Sequence, residues 1–170
     1  MSTREAPGVD REIYPMPMFV TLPVRDLVAS TAWYEAAGFA VLATMPGPAG
    51  AASLVHLRRL RFQDLLLVPG EPVPGPRITF VAGEDDLDAR AEALTGELAD
   101  GVRRTQDGEH EPHADLRRVA GPADTPWFTR DLVLTDPDGY TVVLTGPRAG
   151  GAPMDEAWRS TVEQSVGQRP

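Results

Sequence analysis

The sequence predicts an α+β chain built from two tandem βαβββ modules. Three observations predict it. An alternating strand followed by an Asp-opened helical segment occurs twice, a Pro/Gly-rich stretch separates the two occurrences, and apolar residues outside the helical segments recur with a period of two.

Residues 1–14 are polar, carry Pro7 and Gly8 and show no period, which predicts a flexible N-terminal arm. The first module spans 15–70. From Phe19 to Val24 the chain alternates, with Val20, Leu22 and Val24 forming the aliphatic side of a strand. Asp26 supplies a helix N-cap, and Leu27, Ser30, Trp33 and Tyr34 recur at helical spacing up to Ala37, where Gly38 ends the helix. A strand resumes from Phe39 to Ala43. Met45 to Ala52 reads as a Gly/Pro/Ala-rich loop, and the apolar runs Ser53 to Leu57 and Leu65 to Val68 read as hairpin partners.

A Pro-rich linker occupies 71–76, since Pro69, Gly70, Pro72, Pro74, Gly75 and Pro76 hold neither helix nor central strand. The second module, 77–147, repeats the grammar. Arg77 to Ala82 alternates, and Asp85-Asp86-Leu87-Asp88-Ala89 opens a helix carried by Leu87, Ala91, Leu94 and Leu98 and ended by Gly101-Val102. Thr105 to Pro126 reads as a long polar loop, Phe128 to Leu134 as a strand, Asp136-Pro137-Asp138-Gly139 as a turn, and Tyr140 to Thr145 as the last strand. Each half thus reads strand, helix, then a meander of three strands. Residues 148–170 form a tail whose weak helical pattern around Met154 to Val166 would pack Trp158 onto the body or a partner.

Composition removes several chemistries. The 170 residues include no Cys, so disulfides, thiolate nucleophiles and cysteine-held metals are excluded. The chain has no Lys and no Asn, so all 16 basic residues are Arg, and lysine Schiff-base chemistry and N-glycosylation are excluded too. A net charge of −9 and a pI near 4.7 have the wrong sign for a nucleic-acid backbone. No apolar stretch is long enough to span a bilayer and no leader pattern opens the chain, so a cytoplasmic protein is expected. No Gly-x-Ser-x-Gly setting or phosphate-binding glycine loop occurs.

Taken in order, Leu22-Pro23-Val24-Arg25-Asp26-Leu27, Ser30, Trp33-Tyr34, Gly38-Phe39, Asp86-Leu87-Asp88, Trp127 and Asp136-Pro137-Asp138-Gly139 resemble the vicinal oxygen chelate superfamily over about Pro15 to Pro147. That superfamily includes glyoxalase I, extradiol dioxygenases, fosfomycin-modifying enzymes and bleomycin-binding resistance proteins. The resemblance implies the glyoxalase/bleomycin resistance fold, in which paired modules curve into a cupped mixed sheet whose concave side lines a pocket.

Strand parity divides the residues in the same way. With Val20, Leu22 and Val24 under the helix, Phe19, Thr21 and Pro23 take the other face. Ile78 and Phe80 leave Arg77, Thr79 and Val81, while Val142 and Leu144 leave Thr141, Val143 and Thr145. This second face is mixed in character, as a binding cleft requires.

Metal-dependent relatives carry His, Gln or Glu at four strand positions. Here the resemblance puts Phe19, Leu66 or Leu67, Arg77 and Val143 at those positions, none of which binds a divalent cation, so no metal and no cofactor are expected. The one His/acid cluster, Glu109-His110-Glu111-Pro112-His113 with Asp115, lacks the helical spacing of a zinc motif and reads as a solvated loop. His56 reads either as a cleft-facing hydrogen-bonding or acid/base group or as a satisfied structural histidine.

The function expected is metal-independent binding of a small molecule, aromatic or cationic, such as an antibiotic or a natural-product intermediate, by a homodimer. Its binding residues would be Phe19, Thr21, His56, Arg77, Thr79, Trp127, Phe128, Arg130 and Val143, with aromatic faces for stacking and guanidinium groups as donors. Arg130 could instead pair with Asp131 or another surface carboxylate. No catalytic residue is assigned. The alternative is a lyase, isomerase or dioxygenase of the same fold, with metal ligands recruited from His56 and the His110/His113 loop, or with metal-free acid/base chemistry at His56 and Arg77. A structural dimer module with no dedicated ligand is the third reading. A buried, unpaired Arg77 would argue against it.

Overall fold

The structure, a computed structural model, describes residues 19–61, 63–106 and 118–148. The arm at 1–14, the His110/His113 cluster and Trp158 lie outside the described residues.

The first module runs β1 (Phe19–Val24), α1 (Leu27–Ala36), β2 (Ala40–Pro46), β3 (Ala52–Arg58) and β4 (Asp64–Pro69), with a single 3-10 turn at Pro48–Gly50. Its strands lie in the order β1-β4-β3-β2, β1 parallel to β4 and the others antiparallel. The second module repeats this as β5 (Ile78–Val81), α2 (Leu87–Gln106), β6 (Arg118–Asp124), β7 (Thr129–Thr135) and β8 (Thr141–Pro147), in the order β5-β8-β7-β6. The fold is therefore α+β, with two mixed four-stranded sheets.

Local chemistry places both helices. Asp26 accepts from the backbone N–H groups of Val28 and Ala29, and Asp86 accepts in the same way from Asp88 and Ala89, satisfying donors that each first turn leaves orphaned. At the end of α1, Gly38 has a φ of +94°, where any other residue would be strained. Its missing side chain also makes room for Arg90, whose guanidinium donates to the Ala36 carbonyl.

Two expectations are corrected. Strand β6 lies within the segment read as loop. Gly121-Pro122 disguises it, but the two residues sit at a register shift on the sheet's outer strand, where a proline removes no interior ladder bond. Helix α2 also runs past Gly101-Val102 to Gln106, because an interior glycine weakens a helix by only about 1 kcal/mol without breaking it.

Helix α1 packs on β2, β3 and β4, and α2 packs on β6 and β7. Leu22, Val24, Val55, Leu57, Leu65 and Leu67 form the core under α1, and Phe80, Leu132, Leu134, Val142 and Leu144 form the core beside α2. An edge-to-face ladder of rings, Trp33 to Tyr34 to Phe39 to Phe80, joins the two cores at centroid distances of 4.9, 5.4 and 5.2 Å. No strand of one sheet pairs with a strand of the other.

Polar bonds between the modules concentrate at two places. The turn between β7 and β8 grips α1. Asp136 accepts from the Tyr34 hydroxyl, and Asp138 accepts from Ser30 Oγ, the Arg25 backbone N–H and the Arg25 guanidinium. Tyr140 completes the grip by donating to the Pro23 carbonyl at 3.0 Å. At the other junction the buried Arg59, between β3 and β4, donates to the Val81 carbonyl and to Asp85. Burial pulls the Arg59 guanidinium below its ordinary value, and Asp85 opposes that shift.

Candidate functional site

Alternation gives each sheet a second face turned away from its helix. On the first sheet, register aligns Thr21, Leu66, His56 and Ala43 across all four strands, with Phe19, Asp64 and Arg58 in the adjacent row. Phe19 is 47% exposed and Thr21 is exposed. Leu67 belongs to the core, so Leu66 is the open-face residue of that pair.

Charge lies within this face. Asp64, only 2% exposed, accepts from His56 Nε2 at 2.7 Å and from Arg58 Nε at 2.8 Å. Arg58 is itself buried, so two opposite charges are sequestered together rather than singly. A carboxylate only accepts, which makes Nε2 the protonated nitrogen of His56. Nδ1 has no partner among the described residues and is not sealed from solvent.

On the second sheet, Thr79, Val143, Val133 and Ala120 form one row and Val81, Thr145, Asp131 and Ala123 the next. Thr79 and Val81 are exposed, whereas Val143 in the central strand is only 3% exposed. Asp131 Oδ1 takes hydroxyl bonds from Thr129 and Thr145 at 2.8 and 2.6 Å, which fixes its carboxylate on the open side. Arg77, just ahead of β5, is exposed. The argument from a buried unpaired guanidinium therefore does not apply to it.

Arg130 is the exception among the expected site residues. It shares parity with the buried Leu132 and Leu134, so it lies on the α2 side, where it bonds Asp88 at 2.8 Å and Asp124 at 3.2 Å. Its hydrogen bonds to Asp88 and then Asp124 raise its proton affinity. The charged residue of β7 on the open face is Asp131. Extending the parity of β8 across to β7 would have found it.

Trp127 and Phe128 occupy the tight turn between β6 and β7, where Thr125 N–H donates to the Thr129 carbonyl at 2.8 Å. Trp127 is 63% exposed. Phe128 has a φ of +67°, a left-handed conformation that costs a bulky side chain roughly 1–2 kcal/mol. An aromatic residue thus stands where glycine would fit more easily.

Among the described residues, no group of three or more His, Asp or Glu side chains could hold a metal ion. Phe19 and Leu66 share the first open face and Val143 lies on the second, all with hydrocarbon side chains. Nor is any described helix long and apolar enough to cross a membrane.

Solved structures supply the comparison. A glyoxalase-related enzyme from Clostridium phytofermentans superposes with a TM-score of 0.54 at 14% identity, covering 81% of this chain and 99% of its own. TioX from Micromonospora sp. ML1 gives a TM-score of 0.51 at 19% identity over 81% and 98% of the two chains. A bleomycin resistance determinant encoded on the transposon Tn5 gives 0.50 at 20% identity over 76% and 96%. The chain has the glyoxalase/bleomycin resistance fold. No family model matches the sequence, and no curated protein does. A shared fold does not fix chemistry, which lies in the particular residues of the site.

Proposed function

We propose that this protein is a metal-independent small-molecule-binding protein of the glyoxalase/bleomycin resistance type that sequesters an antibiotic or binds a natural-product intermediate. The observation that carries the reading is a pair of open sheet faces presenting exposed Phe19, Thr79 and Val81, with the aromatic tip Trp127-Phe128 on the second module. Exposed apolar and aromatic side chains alongside a few fixed polar groups are what a flat organic ligand requires. A solved relative in fold is a bleomycin resistance determinant, which supports the same class.

The working unit in this reading is a homodimer. The two sheets of one chain share no strand seam, and their modules meet through α1, the β7–β8 turn and the Arg59 junction. A second copy would bring an open first sheet opposite an open second sheet and enclose a ligand between them. The Asp131 carboxylate, which pairs with no guanidinium among the described residues, and the net charge of −9 suit a ligand carrying positive charge as well as a ring. Phe19, Thr21, His56, Arg77, Thr79, Trp127, Phe128 and Val143 are the proposed contacts, joined by Asp131.

Equilibrium dialysis of the purified protein against bleomycin and a panel of aromatic natural products tests this, with and without chelator. Saturable binding unaffected by chelator, with the ligand recovered unchanged, is expected. Absence of binding across the panel, or conversion of ligand that depends on added metal, overturns it.

A further inference from the structure

We propose that His56 is a hydrogen-bond acceptor that selects ligands bearing a weakly acidic hydroxyl on a flat ring, a phenol or an enol. The inference rests on the binding reading above and specifies what the first sheet recognises.

The orientation of the imidazole is fixed by its neighbours in the adjacent row of the same face. Asp64 receives Nε2–H at 2.7 Å while also bonded to Arg58, and both Asp64 and Arg58 are buried, so neither is free to reorient. In the neutral imidazole, with Nε2 the donor, Nδ1 carries the lone pair, and the side chain is 17% exposed. An anionic ligand group would meet that lone pair and be repelled. A cation would gain little, because the Asp64 charge is already matched by Arg58. A neutral O–H donor remains as the fitting partner.

The surroundings select the rest of the ligand. His56 lies between Leu66 and Ala43 in its row, with Thr21 beyond Leu66, Leu54 two residues away on the same strand face and Phe19 in the next row. Leu66, Leu54, Ala43 and Phe19 make this patch largely apolar, which suits a planar ring whose hydroxyl points inward. Phenolic and enolic hydroxyls are stronger donors than aliphatic alcohols and lie in the plane of their ring, which suits both features.

The test uses 4-methylphenol and its methyl ether, 4-methylanisole, as probes of equal ring size that differ in the O–H. Wild-type protein is expected to bind the phenol about 10-fold more tightly than the ether. In His56→Leu that ratio should fall to near one, with ether affinity retained. Long-range proton–nitrogen correlation on the wild type should show Nε2–H in the free protein and movement of the His56 Nδ1 signal with the phenol alone, a readout independent of how the variant folds. Equal affinity for the two probes in the wild type, a ratio unchanged in His56→Leu, or an Nδ1 that already carries the proton overturns the inference while leaving small-molecule binding standing. Failure of both probes to bind removes the binding reading for aryl ligands and the inference with it.

Discussion

Tyr34 donates its phenolic hydroxyl to Asp136 at 2.9 Å across 102 positions of sequence, tying the helix of the first module to a turn of the second. Both groups are fully buried. Burial, and then the Asp136 charge, push the Tyr34 phenol well above its ordinary range, so it is a permanent donor. Asp136 also accepts from the backbone N–H groups of Asp138 and Tyr140, so one carboxylate shapes the turn and anchors it to α1.

Tyr34→Phe removes the hydroxyl and leaves Asp136 Oδ2 buried without that bond. A loss of about 1–3 kcal/mol is expected, read as a lower midpoint in urea denaturation with an unchanged slope. A midpoint equal to wild type would show that the bond contributes nothing to joining the modules.

Burial raises Asp136 from 3.8 to about 6, against the hydrogen bonds from Tyr140, Tyr34 and Asp138 that pull it down. Its folded value lies above its unfolded value, so the folded state holds the proton more tightly. The resulting stabilisation is complete below about pH 3.8 and is lost as pH rises through about 6. Wild type should therefore gain stability relative to Asp136→Asn as pH is lowered from 7 to 5. Parallel stability–pH curves for the two proteins would contradict the shift.

Gly83→Ala probes the second junction. Gly83 has a φ of +68°, and an added Cβ would lie 2.8 Å from Leu60 Cδ1. Backbone strain plus that contact should cost about 1–3 kcal/mol, visible as a lower melting temperature. Retention of the wild-type melting temperature would mean that this loop shifts freely.

Trp127→Ala separates binding from folding. At 63% exposure the indole contributes little to stability, so the melting temperature should stay within a degree or two. Affinity for an aromatic ligand should fall about 10-fold in equilibrium dialysis, from lost stacking and buried area. Unchanged affinity would remove Trp127 from the site.

Sedimentation equilibrium should give twice the 18.3 kDa chain mass at micromolar concentration, and the ligand should increase the dimer fraction if it lies between two copies. A species of 18.3 kDa with ligand saturating one chain would place the site within a single subunit.

Parts of this molecule are written locally. The alternation of Val20, Leu22 and Val24 sets which side of β1 meets a helix, and Asp26 and Asp86 start their helices by capping groups two and three residues away. Such features involve near neighbours and the fixed periods of strand and helix, so residue order alone determines them. Strand β6 escaped because Gly121-Pro122 breaks the local pattern, while pairing with β7 supplies the bonds that restore a strand. Tertiary structure alone decided that Asp136 and Asp138 grip α1 and that Asp64 holds His56 and Arg58 together. Those pairings depend on distances that only the closed chain defines, and no spacing in the sequence encodes which buried charge will find which partner.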